Sequence, residues 1–141
     1  MKPNRMLVIA SLLSIVLLMF HFTDDILREG GMALRGTSNL VPVPIWVVWL
    51  WGTLMLAERR SGYIIMLVGS LIALGMPVLH MILATKVVTN EIARARGDYF
   101  FVWTLLALGV IGTFSFILAV RGLWRREWAP PRATGTAGVT P

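Results

Sequence analysis

The chain has 141 residues, of which 57% are apolar and 14% charged, with 13 Lys and Arg against 7 Asp and Glu and no cysteine. A soluble domain carries about 25% charged residues, so this composition excludes an ordinary water-soluble fold, a disordered tail protein and a nucleic-acid module. The absence of thiols also excludes disulfide frameworks, CxxC redox pairs and thiolate catalysis.

Four stretches are long and apolar enough to cross about 30 Å of hydrocarbon, which takes about 20 residues as a helix. The first covers 6–22, with Ser11, Ser14 and His21 as its polar positions. Lys2 and Arg5 precede it as in a signal peptide, but it ends Phe20-His21-Phe22-Thr23-Asp24, without a small-residue cleavage site. It reads as an uncleaved helix. The second covers 40–57 and is the shortest, with Pro42 and Pro44 in the first turn, where a missing N–H costs little. The third covers 63–84 and the fourth 99–120. No Asp, Glu, Lys or Arg falls inside any of the four. Backbone groups in lipid must be paired internally, and the alternating polarity of a β-barrel is missing, so all four read as helices.

The predicted architecture is an all-α integral membrane protein, a four-helix up-down bundle spanning residues 1–128, followed by a flexible tail over 129–141. Residues 23–39 and 85–98 form the loops on one side, and Val87–Arg96 suits a short helix ending at Gly97. Lys2, Arg5, Arg59, Arg60, Arg121, Arg125, Arg126 and Arg132 collect on the other side, against Arg28, Arg35, Lys86, Arg94 and Arg96. The excess of basic residues places the N- and C-termini inside, in a bacterial-type cytoplasmic membrane.

Small residues mark contact faces between helices in lipid. Ala10, Ser14, His21 and Asp25 form one stripe, Gly69, Ala73, His80 and Ala84 a second, and Gly112, Ser115 and Ala119, with Gly109 alongside, a third. Gly75-Met76-Pro77 is a site for a kink. Trp46, Trp49 and Thr53 share a face of the second helix; packing against the glycine stripes is favoured over an aromatic ligand pocket. Trp124 and Trp128 beside Arg125 and Arg126 suit an interfacial aromatic belt.

The ionisable residues at membrane depth or its edge are His21 and His80. They stand 15 and 17 residues above the starts of parallel helices, a rise of roughly 22–26 Å in both. Asp25 lies one turn above His21. The plainest reading makes them interfacial residues satisfied by carbonyls or by Asp24 and Asp25. An alternative makes His21, His80 and Asp25 ligands of a transition metal such as Zn or Cu, and another makes His21 and His80 the axial ligands of haem b. No GxSxG, HExxH, phosphate loop or paired intramembrane carboxylates are present. The favoured function is therefore binding or interaction, not catalysis. The partners expected are the lipid bilayer and either a second copy or another membrane protein at the small-residue faces, with no nucleic acid. Haem or metal binding is the alternative, and a membrane enzyme acting on a lipid or quinone at the outer leaflet is the third.

Overall fold

A computed structural model describes residues 5–28, 42–83 and 99–127; within the helices, the side chains of 25–28, 80–83 and 101 lie outside the described set. The described residues form four helices and no strand: α1 (Arg5–Arg28), α2 (Pro42–Met55), α3 (Arg60–Leu83) and α4 (Tyr99–Trp124). Three of them, α1, α3 and α4, are long and apolar enough to cross a membrane. The expected segment Val87–Arg96 and the tail over 129–141 lie outside the described residues.

The ends of the helices differ from those expected, for local reasons. α1 continues past Phe22 through Asp24 to Arg28, because a helix does not stop where hydrocarbon stops. Thr23 supports this turn by donating from Oγ1 to the Met19 carbonyl, 2.8 Å away. α2 is shorter than the expected 40–57. Its 14 residues start at Pro42, whose fixed φ suits a first helical position, and reach about 21 Å at about 1.5 Å per residue. A tight turn follows, in which the Arg59 amide donates to the Leu56 carbonyl at 2.8 Å. α3 runs unbroken through Pro77. α4 closes with Arg126 in the left-handed region at φ 52°, the Arg126 amide on the Leu123 carbonyl and the Glu127 amide on the Gly122 carbonyl. This is a Schellman end, with arginine where glycine is usual.

Side-chain contacts set the up-down order. α2 runs against α1, since Ser11 meets Thr53 near one end and Phe22 meets Trp46 edge-to-face at 5.3 Å near the other. α4 runs against α1, with Phe20 and Phe100 edge-to-face at 6.4 Å. Between α3 and α4 the pairs descend in step: Tyr63 against Gly122, Ser70 against Ser115, Ala73 against Gly112 and Pro77 against Gly109. α1 and α3 are parallel, with Leu7, Tyr63 and Met66 in one cluster and Ile15, Leu18 and Ala73 in the next.

The described parts of all three stripes face inward. Ala10, Ser14 and His21 on α1, Gly69 and Ala73 on α3, and Gly112, Ser115 and Ala119 on α4 are buried. A Cβ at Gly69 would overlap the Trp49 indole, so the hydrogen at this position is what lets α2 approach α3. Gly75 is the natural contrast, because a Cβ there meets nothing within 4 Å. Gly69→Ala is therefore expected to lower stability by about 1–3 kcal/mol through overpacking. Gly75→Ala should be neutral or slightly stabilising, since alanine is the better helix former. Thermal denaturation of both variants in detergent checks this; equal losses would show that Trp49 does not depend on the notch.

Candidate functional site

The outer surface of the helices is apolar, unlike that of a soluble protein, and several hydroxyls are enclosed beside the apolar core. Ser11, Ser14, His21, Thr53, Ser70, Thr104 and Ser115 are buried, whereas Val47, Leu54, Val110, Ile117 and many other apolar side chains face outward. An exterior of this kind is stable against lipid and not against water.

The hydroxyls inside are spent on one another and on the backbone. Trp49 Nε1 donates to Ser11 Oγ at 2.8 Å, Ser11 Oγ lies 2.9 Å from Thr53 Oγ1, and Thr53 Oγ1 donates to the Trp49 carbonyl at 2.8 Å. Because the Thr53 proton is committed to that carbonyl, Ser11 is the donor to Thr53. The result is a closed cycle that leaves Trp49 through its side chain and returns to it through its backbone. Ser70 and Ser115 make a second link, 2.9 Å apart, between α3 and α4. Ser14 bonds back to the Ala10 carbonyl at 2.9 Å.

Trp49 was legible as a packing residue, and it does pack on a glycine stripe. Its partner Ser11 was not. In the sequence Ser11 is one polar position in an apolar run, and only the register of α1 against α2 shows what it meets. Ser70 was missed for the same reason. So was the bond between the Tyr63 hydroxyl and the Glu127 carboxylate, which fastens the end of α4 to the start of α3 while the Tyr63 ring fills the place of a Gly122 side chain.

His21 is 1% exposed on the inner face of α1. The backbone of His80 belongs to the parallel helix α3, while the side chains of His80 and Asp25 lie outside the described set. Among the described residues no group of three or more His, Cys, Asp or Glu side chains is placed to hold a metal ion.

Six arginines gather at one end of the bundle, while Asp24, Asp25 and Arg28 belong to the opposite end of α1. Arg5 starts α1, Arg59 and Arg60 occupy the turn between α2 and α3, and Arg121, Arg125 and Arg126 end α4. The packing of Leu7, Tyr63 and Ala119 in one cluster brings these three places together. All six arginines are exposed, with Glu58 and Glu127 as the described acids there. Comparison with protein-family models, with curated proteins and with solved structures finds no match.

Removing Ser11 leaves the buried indole N–H without its acceptor. Ser11→Ala should cost about 1–2 kcal/mol, near the upper end for hydrogen bonds between membrane helices. Ser14→Ala, which removes only a bond within its own helix, should cost less. Unfolding by denaturing detergent, followed by circular dichroism, separates the two; equal losses would deny the cycle any special weight.

Proposed function

We propose that this chain is a multi-pass protein of a bacterial-type cytoplasmic membrane, acting by binding or interaction instead of catalysis, with its arginine-rich end on the cytoplasmic side. The apolar exterior carries the reading: aliphatic and aromatic side chains cover the outward faces of all four helices. α2 is short for a span, yet α1 and α3 are parallel, so the chain has to return between them. α2 is that return, and the modest cost of local bilayer thinning accommodates its length. Four crossings then leave both termini on one side, and the basic excess makes that side the inner one. The interior hydroxyls serve packing, which leaves recognition to the outer faces and ends.

The native chain has no cysteine, so single cysteines report topology directly. Glu58→Cys at the basic end should be shielded from an impermeant maleimide on intact cells, and Tyr99→Cys at the opposite end labelled. Labelling of position 58 alone would invert the orientation. Labelling of both on intact cells would reject the bundle as a span.

A second reading, favoured by the near-complete burial of His21, makes this imidazole an axial ligand of haem b with His80, or a ligand of a transition metal with His80 and Asp25. Protein purified in mild detergent should then show a Soret band or stoichiometric metal, lost in His21→Ala. A colourless, metal-free preparation, made from cells supplied with haem and metals, would remove this reading and leave the first intact.

A further inference from the structure

The outer face of α4 carries a groove of about 450 Å³ lined by Phe116, Ile117, Val120, Arg121, Trp124 and Arg125. These residues form two neighbouring rows at a spacing of four, 116–120–124 and 117–121–125, with a trough between them. The groove changes character along its length, over about 14 Å from residue 116 to 125. Its inner part is aromatic and aliphatic, its middle brings in the first arginine, and its outer end combines a second arginine with an indole. We infer that it is a binding site for one anionic phospholipid. This inference rests on the membrane reading above.

The polarity gradient is that of such a lipid: acyl chain along Phe116, Ile117 and Val120, phosphate at the arginines. Arg121 and Arg125 stand one turn apart on one face, with Cβ atoms about 6 Å apart, so both guanidinium groups are within reach of a single phosphate. Guanidinium matches phosphate oxygens in pairs and is more weakly hydrated than ammonium, which suits a partly dehydrated headgroup zone. Trp124 is 85% exposed, and an indole at the glycerol level is the usual interfacial anchor. No acid lines the groove. Exposed Arg5, Arg59, Arg60 and Arg126 at the same end add to the attraction for a negative headgroup. A zwitterionic lipid fills the apolar part equally well but brings its own cation to the arginines, so preference for negative charge is the signature of the site.

The test uses full-length protein reconstituted into vesicles of equimolar phosphatidylcholine and phosphatidylglycerol. Flotation comes first, followed by native mass spectrometry of the lipids retained after gentle extraction. Wild type should float with the vesicles and keep phosphatidylglycerol in preference to phosphatidylcholine. Each charge-assisted arginine–phosphate contact in the groove contributes roughly tenfold, so Arg121→Gln/Arg125→Gln should lose about a hundredfold. Arg59→Gln/Arg60→Gln removes the same charge from the same end outside the groove and should keep most of the preference. Circular dichroism confirms that both variants are folded. Equal retention of the two lipids by floating wild type overturns the site and spares the membrane reading. Equal losses in the two double variants overturn it in favour of diffuse attraction, and displacement by soluble glycerol phosphate overturns it in favour of a headgroup-only site. Protein that folds yet does not float overturns both readings.

Discussion

The seat of the Trp49 indole holds three helices in one place. Its ring lies in the notch over Gly69 of α3, its N–H reaches Ser11 of α1, and its backbone belongs to α2. Lipid supplies no hydrophobic drive between helices, so close packing and interhelical hydrogen bonds decide association. α2 has the greatest need of both, being the shortest of the four. Its grip on the bundle comes from one large side chain that combines a flat apolar body with a single polar atom. The size of the indole serves the contact with α3, and its polar edge serves α1.

Why the fold could be read from the residues is itself physical. Hydrocarbon forces every backbone group into internal pairing, which makes a long uncharged run a helix with little alternative. The inward stripes were legible because close approach in lipid selects glycine, alanine and serine at helical spacing. Helix ends were read less well. Asp24 and Asp25 look like the end of a span, and in the energetics of transfer they are, but backbone hydrogen bonding carries α1 to Arg28 regardless. Conversely, the run to Ala57 carries no charge, yet the turn at Leu56 ends α2 at Met55.

The site was legible in a different proportion. A lone histidine in an apolar run draws attention by its rarity, whereas a serine does not. In the folded chain the serines carry the interhelical bonding, and their roles emerge only when two helices are set in register. The long separations between partners, such as Ser70 and Ser115 or Ser11 and Thr53, are why no local pattern announces them. The arginines are intermediate. Their clustering between apolar runs is visible in the chain, but their convergence at one end depends on α1, α3 and α4 being brought together by Leu7, Tyr63 and Ala119.

The stepwise pairing of α3 with α4 also makes the length of α4 a fixed quantity. One residue inserted between Gly112 and Ser115 would turn everything beyond it by about 100° around the helix axis. Ser115, Ala119 and Gly122 would leave the seam together, and Tyr63 would face a bulkier neighbour. The same insertion in the turn at 56–59 would be absorbed outside the packed seam. The seam therefore works as a vernier scale, tolerant of changes in side-chain chemistry on its outer face and intolerant of any change in count.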